Sequence, residues 1–132
     1  MDSMYREIIL EHHKTPHNFG TLDPADYTAE DTNPLCGDQI RMDLRVTDNF
    51  VTDVAFTGRG CAVSIASASM LTDMVKGMSL DEVRALTKDD MLDEIGIPVS
   101  PARIKCATLG LNVLKLSIAI KDELIHAREQ NE

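Results

Sequence analysis

No apolar run in this chain approaches the ~18 residues that a membrane span requires, and the first residues lack the basic, apolar and small-residue regions of a secretion signal. A cytoplasmic protein without a membrane partner is expected. Clustered positive charge is missing too: 13 Lys and Arg are scattered among 22 Asp and Glu, for a net charge of −9. Phosphate-backbone binding depends on grouped Lys and Arg, so nucleic acid is not an expected partner, whereas a protein with a basic docking face is. Cysteine is scarce, with three residues and no CxxC pair. That argues against a secreted disulfide framework and suits a compartment that keeps thiols reduced. A glycine-rich phosphate loop, a nucleophile elbow and a Ser/His/Asp set are absent as well.

What is present fits one domain spanning residues 1–132. A chain of this size buries enough surface to fold without disulfide or metal, so any metal it holds serves function. Asp2 or Ser3 stands where it can cap a first helix carrying Tyr5, Ile8 and Ile9, which Pro16 and Gly20 terminate. Thr21 to Pro34, with two prolines and no sustained period, reads as loop. Alternation then begins: Ile40, Met42, Leu44 and Val46 face one way, and Arg41, Asp43 and Arg45 the other. Asp48-Asn49 makes a turn, and Val51, Val54 and Phe56 return as a second strand of an antiparallel hairpin.

After Cys61 the small residues Ala62, Ser64, Ala66, Ser67, Ala68 and Ser69 open a short strand or turn followed by a helix, and they would let another backbone approach closely. Ser79 with Glu82 and Thr87 with Asp90 match capping boxes of two short helices, the second stopping at Gly96. Ser100-Pro101 opens a long helix with two apolar stripes: Ala107, Leu111, Leu114 and Ile118, and Leu109, Val113, Leu116 and Ile120. Its middle should be heavily buried and its charged end solvated.

A single free cysteine is more often a small buried hydrophobe than a reactive group. Local sequence argues otherwise for two of these three. Cys36 sits in the turn-forming Asn33-Pro34-Leu35-Cys36-Gly37-Asp38, and in extended backbone the i, i+2 spacing puts Asp38 on the same side. Cys61 follows Gly58-Arg59-Gly60 and precedes a helix, so a helix N-terminus and Arg59 both favour its thiolate. Cys106 follows Lys105 in the second turn of the last helix, where a plain buried cysteine would look the same. Should Cys36, Asp38, Cys61 and Cys106 meet, they form an S₃O set able to hold zinc or the iron of a cluster. The oxygen ligand would make the site exchangeable. His12 and His13 near a helix C-terminus, His17 in the next turn and His126 read as capping or surface residues, and the seven methionines as core packing.

At four ordered blocks the chain resembles the iron–sulfur scaffold family of IscU, SufU and the NifU N-terminal domain, and is most similar to SufU. The blocks are Tyr5-Arg6-Glu7-Ile8-Ile9 with Pro16-His17-Asn18-Phe19-Gly20, Asn33 to Asp38, Gly58 to Ser69, and Pro101 to Leu109. The resemblance implies an α+β, SufE/NifU-like fold, with a small three-stranded antiparallel sheet covered by helices. It implies metal ligands at Cys36, Asp38, Cys61 and Cys106, a cysteine desulfurase as sulfur donor, and downstream cluster carrier or assembly proteins. Lys105 stands where IscU carries histidine, which favours a zinc-dependent sulfurtransferase with Cys36 as sulfur acceptor. A [2Fe–2S] scaffold with Cys106 as the alternative acceptor, and a structural zinc-binding adaptor, are the competing readings.

Three departures qualify the match. The segment SufU inserts between its second and third cysteines is absent, Ile97-Pro98-Val99-Ser100-Pro101 replaces the Leu-Pro-Pro-Val-Lys chaperone motif of IscU, and His17 stands where relatives often carry arginine.

Overall fold

The computed structural model describes residues 2–34 and 37–131. Helix α1 runs over Asp2–Lys14, and strands β1 (Tyr27–Asn33), β2 (Asp38–Thr47) and β3 (Phe50–Arg59) follow. Helices α2 (Ala62–Val75), α3 (Leu80–Ala85), α4 (Lys88–Ile95) and α5 (Pro101–Asn131) complete the chain. The side chains of Asp2 and Ser3, expected to cap α1, lie outside the described set.

The three strands form an antiparallel meander in the order β1-β2-β3. The β2–β3 hairpin is the one the alternation predicts, and Asp48 and Asn49 both take positive φ, as its tight turn demands. Strand β1 is a correction to the reading of Thr21–Pro34 as loop. Only Ala29 and Asn33 of this strand are buried, so its place at the sheet edge rests on backbone pairing with β2, which leaves no apolar alternation to read. The other edge is covered where Asn18 and Gly20 exchange backbone hydrogen bonds with Phe56.

Ile40, Met42, Leu44, Val54 and Phe56 line the inner sheet face and pack with Leu71 and Val75 of α2 and Leu111, Leu114 and Ile118 of α5 in one core. The small-residue run lies in α2, which begins directly at Ala62, and it does admit a neighbour: a Cβ on Gly110 of α5 would stand 3.3 Å from the Ala68 Cα. Both capping boxes form, and Gly96 caps α4 in the left-handed conformation. In α5 the second apolar stripe is buried only at Leu109 and Val113, while Leu116 and Ile120 are exposed. The reason is orientation: Leu114, Ser117 and Ile118 beside them are buried, so α5 presents its first stripe to the core and turns Leu116 and Ile120 away from it.

Candidate metal centre

Three chain segments meet at one end of the sheet. The β1–β2 register pairs Asn33 with Asp38, and the β2–β3 register pairs Gln39 with Arg59, so β3 delivers Gly60 and Cys61 beside the start of β2. Gly60 is required there. Its φ of +154° is unfavourable for other residues, and an added Cβ would run into the Asp38 carboxylate. Cys61 is the N-cap of α2, with no side-chain capping bond of its own. Cys106, fully buried, enters from α5.

A carboxylate oxygen of Asp38 and the Sγ atoms of Cys61 and Cys106 all lie within 4.8 Å of one another. Tetrahedral zinc with Zn–S near ~2.3 Å and Zn–O near ~2.0–2.2 Å sets ligand–ligand edges of roughly 3.5–3.8 Å, so small side-chain rotations would close the set on one ion. Asp38 is completely buried. Its Oδ1 accepts the Cys61 backbone N–H at 2.9 Å, whereas its Oδ2 has no hydrogen-bond partner among the described residues. A buried polar atom left without a partner costs about 1–3 kcal/mol, more when charged, and a cation would remove that cost. The residues present therefore fit a metal ion. Cys36, two positions before Asp38, lies outside the described residues.

Burial raises the Cys61 thiol, and the nearby Asp38 charge adds to this, yet hydrogen bonds from the Ser64 backbone and side chain and from Cys106 outweigh both and leave its pKa lowered. Ser64 Oγ accepts from Cys61 Sγ across 3.8 Å and donates its own proton to the Cys61 carbonyl at 3.0 Å. Asn33 Nδ2 donates to Cys106 Sγ across 3.9 Å. Cys61 first and Cys106 after it hold the Arg103 guanidinium above its ordinary range, by hydrogen bonding and by the negative charge of their thiolates.

Arg59 and Lys105 are placed differently. Directly paired residues share a face, so Arg59 lies on the face of Gln39, opposite Asp38, in an outer cleft with Glu30 and Arg41. Lys105 is exposed and lines a cleft with Asp31, Thr32 and Asn33. Arg103, Ser64 and Asn33 were given no role from sequence. The signal for Arg103 was available in its spacing, one helical turn before Cys106.

Two sulfurs and a buried carboxylate gather at the end of a small meander, which defines the class as an α+β domain with a group of side chains that could hold a metal ion. The chain belongs to the family of the NifU-like N terminal domain, whose model matches residues 4–124. It is 36% identical over 136 residues to a zinc-dependent sulfurtransferase SufU of Bacillus subtilis, covering 90% of this chain and 92% of that one. It is 33% identical over 150 residues to an iron-sulfur cluster assembly scaffold protein IscU of Streptococcus pyogenes, covering 99% and 92%. A crystal structure of a nitrogen-fixing NifU-like protein (N-terminal) from Brucella abortus superposes with a TM-score of 0.75 at 27% identity, covering 92% of this chain and 96% of that one. The three-stranded sheet expected from the resemblance and the long last helix expected from Ser100-Pro101 are the fold observed. No described helix is long and apolar enough to cross a membrane.

Proposed function

We propose that this protein serves iron–sulfur cluster biogenesis in the cytoplasm by accepting persulfide sulfur from a cysteine desulfurase at a zinc site made of Cys36, Asp38, Cys61 and Cys106. One observation carries the reading: Asp38 is fully buried beside two thiols, with an oxygen that no described residue satisfies. The SufU relative, a zinc-dependent sulfurtransferase by name, and Lys105 at the position where IscU has histidine both support zinc and sulfur transfer.

When bound, zinc keeps its cysteine ligands deprotonated at neutral pH. Asp38, Cys61 and Cys106 would hold the ion. The complete burial of Cys106 and its contacts with Cys61 and Asn33 suit a holding role. Arg103 supplies positive charge beside Cys61. Cys36 is the acceptor: its thiolate attacks the outer sulfur of the desulfurase persulfide, the donor's S–S bond breaks as a new one forms on Cys36, and the donor cysteine leaves as thiolate. The sulfane sulfur and its proton move together, with no net oxidation.

Mass spectrometry after incubation with desulfurase and free cysteine should show added sulfur on this chain, and none on Cys36→Ala. Undiminished loading of that variant overturns the assignment. The IscU relative supports a second reading, a [2Fe–2S] scaffold on the same four residues. Anaerobic reconstitution followed by Mössbauer spectroscopy separates the two, since a transferable cluster is expected only of the scaffold.

A further inference from the structure

The structure does not bear out the surface role expected of His12, whereas His17 is exposed as expected. His12 is buried, and its ring lies 4.3 Å, centroid to centroid, from the ring of His17. A nitrogen of each ring and a carboxylate oxygen of Asp73 all lie within 4.8 Å of one another. His12 comes from α1, His17 from the following loop and Asp73 from the last turn of α2, so tertiary packing brings the three together.

The support around these side chains is what an ion site needs. His12 Nδ1 is 2.7 Å from Ser69 Oγ, which also accepts the backbone N–H of His17 at 2.8 Å. In the tautomer whose Nδ1–H donates to Ser69, the Nε2 lone pair of His12 is available, the arrangement by which metal-binding imidazoles are usually oriented. Asp73 is held from its other oxygen: Oδ1 accepts Asn18 Nδ2 at 3.0 Å, while Oδ2 and His17 Nδ1 share a hydrogen bond of 2.6 Å whose proton a cation would replace. Asn18 also donates to Thr72 Oγ1 and accepts from Lys76 Nζ, which ties the loop to α2. An open cleft of about 260 Å³ borders His12 and Asp73 and is lined further by the carboxylate residues Asp93 and Glu94, giving an entry route of the right charge.

We propose that His12, His17 and Asp73 form a second divalent-cation site, independent of the cysteine centre. The two imidazoles, borderline ligands beside one hard carboxylate, select a first-row transition ion such as Fe²⁺, Co²⁺ or Zn²⁺ over Mg²⁺ or Ca²⁺. Three protein ligands leave positions to water, so the ion exchanges readily. Ser69 and Asp73 lie 8 and 12 residues beyond Cys61, which at ~1.5 Å per residue places this site roughly 12–18 Å along α2 from the first.

The test is titration of the full chain with Co²⁺ alone, read by absorption and by the imidazole nitrogen signals in NMR. Thiolate-to-cobalt charge transfer reports the cysteine centre, so failure of either site is seen separately. The expected result is an equivalent that perturbs His12 and His17 without charge transfer. His17→Gln and Asp73→Asn, both at exposed positions, should each abolish it and leave the thiolate band unchanged. Ser69→Ala, which removes the partner orienting His12, should weaken it by on the order of 10–100-fold. His126→Gln should leave it intact. If no such equivalent appears, or if it survives both His17→Gln and Asp73→Asn, the site does not exist.

Discussion

Strand β2 carries two aspartates removed almost wholly from solvent, Asp38 at 0% exposure and Asp43 at 1%, and the protein treats them oppositely. Asp43 is completed from within: its Oδ1 accepts the Thr28 hydroxyl at 2.7 Å and Arg41 Nε at 3.1 Å, and its Oδ2 the Leu22 backbone N–H at 3.1 Å. Among the described residues Asp38 has one bond, on Oδ1, and a second oxygen with no partner. Five residues apart on a strand means opposite faces, so they serve different neighbourhoods. Asp43 fastens the loop before β1 onto the sheet, while Asp38 sits among thiols. A buried carboxylate whose hydrogen bonds are all filled is structural, and one left incomplete has an oxygen that a bound ion would satisfy.

The comparison can be broken first at Asp43. Asp43→Ala strands a hydroxyl, an amide N–H and a guanidinium, and should cost about 3 kcal/mol by urea denaturation, since hydrogen bonds to charged groups contribute roughly 1.5–3 kcal/mol each and Arg41 and Thr28 can recover water. A loss under about 1 kcal/mol would show that these bonds do not hold the loop.

A smaller effect is expected from acid. Burial pushes the Asp43 carboxyl up, but the bonds from Thr28, Leu22 and Arg41 outweigh it and hold its pKa below the ordinary 3.8. The unfolded chain therefore binds the proton first, and stability falls as pH drops below 3.8 toward the lower folded value. Asp43→Asn should flatten this limb in urea midpoints measured from pH 6 to pH 3. An unchanged slope would place the acid sensitivity elsewhere.

The smallest change in stability should come from Asp38→Ala in metal-free protein, within about 1 kcal/mol, because one lost hydrogen bond is offset by removal of an unsatisfied buried oxygen. Zinc retention after dialysis should collapse in the same variant. A stability loss as large as that of Asp43→Ala would make the two carboxylates equivalent and end the distinction.

Much of this was legible in the residues. Local chemistry announced the hairpin, both capping boxes and the stop at Gly96, because each is settled within a few residues of chain. The carboxylate and thiols of the centre were nameable because glycines and a turn flank them, although only the strand register could bring Asp38 and Cys61 together. Asp43 reads as a solvated residue in an alternating strand, and nothing local reveals that Leu22 and Thr28 close over it. His12 fits a helix C-terminus equally well exposed or buried, and the packing of α1 on α2 decides. Arg103, not Arg59, reaches Cys61, because strand pairing turns Arg59 to the opposite face.

The hydrogen bond from the Cys61 amide to Asp38 has a mechanical corollary. Since Cys61 offers no cap of its own, the first turn of α2 is moored to the sheet through the same carboxylate that would grip an ion. Any rotation of that side chain about its Cα–Cβ bond pulls on the helix amide as well as on the cargo. Lengthening it by one methylene, as in Asp38→Glu, would displace the start of α2 even where the charge is kept.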